Sequence, residues 1–380
     1  MSIRGEQLRL ATRGSALALR QAGTIKERLT DRRVSVELVE VETTGDQIQD
    51  ELIHRLGTTG AFVRSLDQKV LDGELDGSVH SMKDMPTEQP DELVIAGIPE
   101  RGPPNDVLVT PDGTALGDLP SGATVGTSSL RRGAQLLAER PDLEIEPLRG
   151  NVDTRVEKLL APSLRREHER RLTAAERDEN EDDDRDTNGS EDDIDGDEAF
   201  ERTPEEWFDD LTEIERQALE REVETTYDAI CLAEAGLARS GLLHHLSYQR
   251  LEPDWFVPAP AQGAIAVTAL DGEIAEGINE ILDHPPTRIE TTVERTILGE
   301  LGGGCVAPVG IYARLQGEVV ATTVRVLARD GSEEVSETRD LPVESHARAA
   351  AEFAAELADR GAAELIERAR REEPDDAQRS

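Results

Sequence analysis

Apolar residues fall into short runs and helical stripes in alternation over the first two thirds of the chain. Leu8–Thr12, the segment around Val79, Leu93–Ile98, Asp106–Thr110, Thr124–Gly126, Glu144–Leu148 and Tyr227–Ala233 read as strands. Val34–Thr43 alternates apolar and polar positions, as a strand covered on one face does. Between them Ser15–Leu29, Gly60–Leu71, Ser128–Glu139, Val152–Leu160 and the segment opening at Gly236–Gly241 carry helical spacing. This alternation predicts mostly parallel sheets covered by helices, with ligands at the carboxyl ends of strands.

Beyond residue 285 the pattern changes. Thr287–Glu300 reads as a helix, and Val306–Leu315, Glu318–Ala328 and Glu333–Leu341 as a strand meander turning at Gln316-Gly317 and Asp330-Gly331. One long amphipathic helix, Val343–Arg370, is predicted to follow. Residues 161–226 break the periodicity. Asp178–Glu198 is almost devoid of apolar side chains and predicts disorder, because it cannot bury enough surface to offset the entropy of ordering. Its flanks, Ser163–Ala175 and Thr203–Val223, keep helical spacing, with Thr203-Pro204-Glu205-Glu206 as a cap. The division expected is residues 1–99 with 263–282, residues 104–160 with 227–257, an acidic and partly disordered surface insertion at 161–226, and a C-terminal unit at 285–380.

Charge narrows the function. The chain has 81 acidic and 42 basic residues, a net of −39. Only Lys26, Lys69, Lys83 and Lys158 are lysines; the other basic residues are arginine. A nucleic-acid-binding surface is not expected at this charge. Residues 161–226 hold 26 acidic and 9 basic residues, less than half of the excess, so the acidity is general. It reads as adaptation to high salt, where screening relieves self-repulsion. Apolar runs such as Ala259–Ala269 are too short to span a bilayer, and no apolar signal region precedes the first strand, so a cytoplasmic protein without a membrane segment is expected. Two cysteines, Cys231 and Cys305, argue against a disulfide framework, and no metal-ligand spacing is present, so no metal is expected. The sequon Asn188-Gly189-Ser190 reads as chance in such a protein.

Four segments join a predicted strand to a helix and carry arginine, hydroxyl or carboxylate: Ala11-Thr12-Arg13-Gly14-Ser15, His80-Ser81-Met82-Lys83-Asp84-Met85-Pro86, Gly126-Thr127-Ser128-Ser129-Leu130-Arg131-Arg132 and Leu148-Arg149-Gly150-Asn151-Val152-Asp153-Thr154-Arg155. Helix N-termini offer free N–H groups and arginines add bidentate donors, so together they describe a site for several carboxylates or phosphates. Any one of them alone is better explained by a capped helix with a solvated arginine. No dinucleotide or Walker fingerprint is present, which speaks against nucleotides. Cys231 lies in an apolar strand and reads as a core residue, and His80 as a packed or hydrogen-bonded strand residue.

In the same order, His-Ser-Met-Lys-Asp, Gly-Thr-Ser-Ser-Leu-Arg-Arg and Leu-Arg-Gly-Asn-Val-x-Thr-Arg are similar to motifs of the porphobilinogen deaminase family. The resemblance continues through Tyr227–Ala233, Ala235-Gly236-Leu237, Ala261-Gln262-Gly263-Ala264 and Gly302-Gly303-Gly304-Cys305 with Pro308-Val309-Gly310. It covers nearly all of the chain outside 161–226. It implies three domains: two doubly wound α/β domains like those of periplasmic binding proteins, forming a cleft, and a small C-terminal α+β domain. It also implies a transferase that joins four porphobilinogen molecules head to tail into hydroxymethylbilane with loss of ammonia, in porphyrin biosynthesis. The primer would be a dipyrromethane cofactor covalently attached to Cys305 by a thioether. A thiolate is the competent nucleophile for such a bond, and flanking glycines admit a bulky ligand.

The resemblance further implies Asp84 as the catalytic carboxylate, stabilising the cation left by deamination and assisting proton transfer. Lys83, Ser129, Arg131, Arg132 and Arg155 would hold cofactor side chains. Arg13, Ser15, Arg149 and Arg239 would face incoming substrate or the growing chain. Each pyrrole carries an acetate and a propionate, which suits arginine forks. A monomer is expected, with the next tetrapyrrole-pathway enzyme as a possible partner. Two departures stand out: Thr44 occupies a place where arginine is common, and Gly57–Phe62, with Thr59, lacks the family's lysines. Two other readings remain, a non-catalytic two-domain small-anion-binding protein and a cysteine hydrolase using Cys305. The second lacks a histidine in a recognisable context.

Overall fold

The computed structural model describes residues 3–41, 59–184, 200–302 and 307–371. The first stretch runs β1 (Gln7–Thr12), α1 (Ala16–Thr30), β2 (Ser35–Glu40), α2 (Thr59–Leu71), β3 (Gly77–Ser81) and β4 (Leu93–Gly97). Next come β5 (Asp106–Val109), β6 (Thr124–Gly126), α3 (Leu130–Glu139), β7 (Glu144–Glu146) and α4 (Val152–Asp184). They are followed by α5 (Pro204–Asp210), α6 (Glu213–Glu220), β8 (Ala229–Ala233), α7 (Glu234–Ser240) and β9 (Tyr248–Leu251). β10 (Ile265–Leu270), α8 (Glu273–Leu282) and α9 (Pro285–Glu300) lead into β11 (Val309–Gln316), β12 (Val319–Leu327) and β13 (Glu334–Pro342), and α10 (His346–Leu357) and α11 (Ala363–Arg371) close the chain.

Local chemistry explains most of these boundaries. Ser15 caps α1 by accepting from the Ala18 amide, and Gln21, Ala22, Ile25 and Leu29 line its buried face at helical spacing. Ser129 caps α3 by accepting from the Arg132 amide. Thr203 and Glu206 form a reciprocal capping box at α5, as the sequence predicts. Central strands such as β5 and β10 are buried along nearly their whole length, which fits strands covered on both faces.

Two five-stranded sheets share one plan. The first has the order β2-β1-β3-β10-β4 and the second β7-β6-β8-β5-β9. In each, four strands are parallel and the fourth in order, β10 or β5, is antiparallel to both neighbours. The sheets are thus mostly parallel, as predicted, but the one antiparallel strand in each was not foreseen. The reason is the route of the chain. It leaves the first sheet after β4 and enters the second as β5, then leaves after β9 and returns as β10. A strand entered from the end where its parallel neighbours finish must run the opposite way. The carboxyl ends of the parallel strands therefore face two crossovers, 98–105 and 252–264.

The crossovers touch. The Gly102 amide donates to the Gly263 carbonyl at 3.0 Å, and a Cβ at Gly263 would lie 2.6 Å from the Gly102 oxygen, so the approach depends on glycine. The third sheet, β11-β12-β13, is an antiparallel meander packed on α9, α10 and α11 around Phe353, Val324 and Ile297. Its β11 docks on the second crossover, where the Ile311 amide donates to the Pro258 carbonyl.

Three further predictions changed. The helix expected at Val152–Leu160 continues as α4 to Asp184, so part of the segment predicted to be disordered, 178–184, is helical backbone; 185–198 and the sequon lie outside the described residues. The insertion is also not wholly superficial: Ile214 of α6 packs with Val156, Leu159 and Tyr227 on the second sheet. The single C-terminal helix is broken between α10 and α11 by a π turn in which Gly361 has φ 104°.

Candidate functional site

The turn after β3 presents Lys83 and Asp84 at the junction. Its Met82 amide donates to the Ala264 carbonyl of the second crossover at 3.0 Å, and the Met85 amide closes the turn on the Met82 carbonyl. Met82 and Met85 are buried with Val63, Ile98, Ala261 and Ala264, which leaves Asp84 exposed between two anchored side chains. Below it, β3 is held by a buried polar group. Asp67 of α2 accepts from Ser78 (2.5 Å) and Thr268 (2.8 Å) and lies 2.8 Å from His80 Nε2. Burial would raise the Asp67 pKa, but His80, Ser78 and Thr268 together lower it. His80 is thus a hydrogen-bonded strand residue.

The second sheet supplies the cations. Arg131 and Arg132, in the first turn of α3, both reach the fully buried Asp106 at the start of β5, with N···O distances of 2.7 and 2.8 Å. Burial would raise the Asp106 pKa, but the two guanidiniums hold it below the usual carboxylate range. Arg131 also donates to the Val257 carbonyl, and Arg132 to the Cys231 carbonyl and to Gln262 Oε1. Arg155 donates to the Gly150 carbonyl; burial first, and then the charge of Arg132, lowers its pKa to about 10. The charges of Asp84, Arg132, Asp106 and Arg155 all act on the Lys83 ammonium, whose pKa burial lowers against the pull of Asp84. Lys83, Asp84, Arg131, Arg132 and Arg155 are therefore one electrostatic cluster, drawn from both sheets. Ser129 sits beside it as the cap of α3.

Sequence reasoning missed the residues that tie this cluster together. Gln262 is buried and donates to the Pro104 carbonyl and to Asp106 Oδ1, joining the two crossovers. Arg101 donates to the Gln262 carbonyl and grips Glu294 of α9 with both terminal nitrogens, at 2.8 and 3.1 Å. Glu294 also accepts from the Ala261 and Ala313 amides, so one carboxylate joins both crossovers to the third sheet. Burial raises its pKa against the effect of Arg101. A glutamate on an otherwise amphipathic helix gives no local sign of such a role. The signals available were an aspartate opening the apolar strand Val107-Leu108-Val109 and the place of Gln262 in the motif Ala261-Gln262-Gly263-Ala264.

The remaining predicted residues are less closely joined. Ser15 is occupied in capping α1, and Arg13 lies half-buried in the same β1–α1 turn. Arg149 is half-buried, with no ion pair among the described residues. Arg239 donates to the Gly263 carbonyl at 2.6 Å, so it starts from a position tied to the second crossover. Cys231 is fully buried, and burial pushes its thiol up to about 12, which leaves it an inert core residue. Cys305 lies outside the described residues, as does Thr44; α9 leads into its loop and β11 follows it. Thr59 begins α2, and its side chain is not described. Among the described residues no helix is long and apolar enough to cross a membrane.

Comparison with known proteins bears on this arrangement directly. The family model for the porphobilinogen deaminase dipyrromethane cofactor binding domain matches residues 8–166 and 214–275, and that for the porphobilinogen deaminase C-terminal domain matches 288–365. A probable porphobilinogen deaminase of Halobacterium salinarum is 53% identical over 97% of this chain and 99% of its own. One from Methanococcoides burtonii is 35% identical over 95% and 96%. A porphobilinogen deaminase of Exiguobacterium is 34% identical over 87% and 88%. The Halobacterium relative fits the acidic composition. With both family models covering most of its length, and its two mixed sheets meeting at a cationic junction, the chain belongs to the porphobilinogen deaminase family.

Proposed function

We propose that this chain condenses porphobilinogen with Asp84 as its acid–base and charge-stabilising residue and with Cys305 as the anchor of its dipyrromethane. Four substrate molecules are joined head to tail into hydroxymethylbilane, with release of ammonia. The observation that carries the reading is the cluster of Lys83, Arg131, Arg132 and Arg155 around the Asp84 turn, in a chain of net charge −39. Basic groups gathered at one place in so acidic a protein fit a ligand rich in carboxylates.

The donor set fits the cofactor. Two pyrrole rings bring four carboxylates, and Lys83, Ser129, Arg131, Arg132 and Arg155 offer ammonium, hydroxyl and guanidinium donors. Arg131 Nε is buried without a hydrogen-bond partner, so that nitrogen can still donate. When bound, the dipyrromethane supplies the pyrrole terminus on which the product is built. Asp84 is exposed at the junction and can take a proton from a pyrrole carbon or face the positive charge that departure of ammonia leaves on substrate. Asp106 pairs with Arg131 and Arg132 at once, which offsets their mutual repulsion and keeps both guanidiniums in the cluster. Arg13, Ser15, Arg149 and Arg239 are assigned to substrate and the growing chain.

The reading keeps residues 1–99 with 263–282 and 104–160 with 227–257 as the cleft-forming domains, 161–226 as an insertion and 285–380 as the domain bearing the cysteine. It also takes the protein as a cytoplasmic monomer that hands its product to the next tetrapyrrole-pathway enzyme. Intact-protein mass spectrometry is the direct test. The purified protein should carry an excess equal to two pyrrole units, absent from Cys305→Ser. A native mass equal to that of the bare chain in an active preparation would remove the anchor, and an excess retained in Cys305→Ser would move it elsewhere.

A further inference from the structure

The Asp84 turn is held from three sides, and one of them is α9, the helix that leads into the cysteine loop. Arg295 of α9 donates from Nη1 to the Met85 carbonyl at 3.1 Å and from Nη2 to the Pro86 carbonyl at 2.6 Å. Those are the two residues after Asp84. One turn further along α9, Gly299 faces Thr87, with its Cβ position 3.7 Å from the Thr87 Cβ. The residue before Arg295 is Glu294, which fixes α9 to both crossovers through Arg101 and the Ala261 amide. The half-buried guanidinium makes no ion pair with a carboxylate among the described residues, and burial lowers its pKa. Both terminal nitrogens of this half-buried cation go to carbonyls of one irregular segment. Its planar fork sets the position of both carbonyls at once, which one ammonium cannot do.

We propose that Arg295 is a positioning residue for Asp84, fixing the Asp84 turn in register with the helix that carries the cysteine loop. The inference rests on the assignment of Asp84 made above. Its logic is geometric. The turn belongs to the first domain and the cysteine loop to the third. A carboxylate that must meet reacting atoms anchored on another domain gains from a rigid tie to it, because errors on the order of 1 Å can cost about a hundredfold in rate.

The test is a double-mutant cycle on the full-length protein in high salt, with Arg295→Met, Arg295→Lys, Asp84→Asn and the Arg295→Met/Asp84→Asn pair. Intact mass first establishes that each variant carries the same covalent excess as the parent, and thermal melting that each is folded. Arg295→Met is expected to lower kcat by about ten- to a hundredfold with KM changed by less than about threefold. Arg295→Lys should recover part of that loss. In the Asp84→Asn background the same Arg295→Met change should cost less than about threefold. Equal losses in both backgrounds would overturn the proposal, since Arg295 would then act independently of Asp84. So would a loss confined to melting temperature or to KM. If Arg295→Met does not fold, the comparison of Arg295→Lys in the two backgrounds decides the question by the same criteria. Normal turnover in Asp84→Asn would instead defeat the assignment of Asp84 itself, and the two failures are distinct.

Discussion

The two five-stranded sheets have the same strand order, yet each buries an aspartate in a different chemical setting. Asp67, against the first sheet, is met by His80 and two hydroxyls. Asp106, within the second, is met by two guanidiniums and the amide of Gln262. The first arrangement holds a strand rigid beneath the turn that offers Asp84. The second organises positive charge. One fold plan, used twice, thus supplies the Asp84 turn with Lys83 from one sheet and the three arginines of the same cluster from the other. The two carboxylates of the junction differ in exposure: Asp106 is fully buried and paired with both guanidiniums, whereas Asp84 is exposed on its turn.

This contrast is tested most severely at Asp84. Asp84→Asn removes the carboxylate proposed as the acid–base group from an exposed turn whose anchors, Met82, Met85 and Arg295, are untouched. Turnover should fall by about 100- to 10,000-fold, the range for loss of a general acid–base group. Melting should stay close to that of the parent. Single-turnover assays with calorimetry check both, and normal turnover would collapse the distinction between the two carboxylates.

The two buried aspartates should then separate in stability. Asp106→Ala strands two buried guanidiniums and should destabilise the fold by about 3–5 kcal/mol. Asp67→Ala removes the acceptor that Ser78, Thr268 and His80 share, leaving three buried donors with only the two hydroxyl oxygens between them, and should cost about 1–3 kcal/mol. Chemical denaturation in constant high salt measures each; equal values would mean that the guanidiniums find other partners. The pH response has a definite sign. Both folded pKa values lie below the unfolded value of about 3.9, so each group contributes its full increment above that pH. The increment is lost as pH falls through the folded value. Each alanine variant should therefore show a shallower loss of stability than the parent below about pH 4.

Several helix starts were readable from sequence because their determinants are local. Ser15 before the Gln21, Ala22, Ile25 and Leu29 stripe marks α1, and Thr203 with Glu206 marks α5. The direction of β5 was not readable, since strand polarity depends on where the chain arrives from, and alternation is the same either way; β10, within the apolar run Ala259–Ala269, was not read as a strand. β9 was missed because Tyr248-Gln249-Arg250-Leu251 is a short edge strand with mostly polar side chains. Gly361 was passed over because an isolated glycine in a helical pattern is often tolerated. Within the site, Lys83, Asp84, Arg131 and Arg132 were found through motifs. Arg101 and Glu294 could not be, and Gln262 stood in a motif without a role, because the contacts that give them meaning join residues more than 30 positions apart.

The comparison between a cationic junction and its acidic surroundings sets the smallest effect, the response of substrate binding to salt. Porphobilinogen is a dicarboxylate and must approach a chain of net charge −39. The screening length is about 10 Å at 0.1 M salt and about 3 Å at 1 M. Surface carboxylates many ångströms from the junction are therefore silenced by salt. Arginine–carboxylate contacts at hydrogen-bond distance are shorter than even the reduced length and keep most of their strength. Repulsion should fade before attraction does. KM for porphobilinogen is expected to fall by about three- to tenfold between 0.1 and 2 M KCl, equivalent to roughly 1 kcal/mol of exposed like-charge repulsion. Removing residues 178–198, which are strongly acidic, should reduce this response without abolishing it, because most of the acidity lies elsewhere. A KM that rises steadily with salt would show instead that long-range attraction to the arginines dominates the approach, and that the acidic shell does not reach the junction electrostatically.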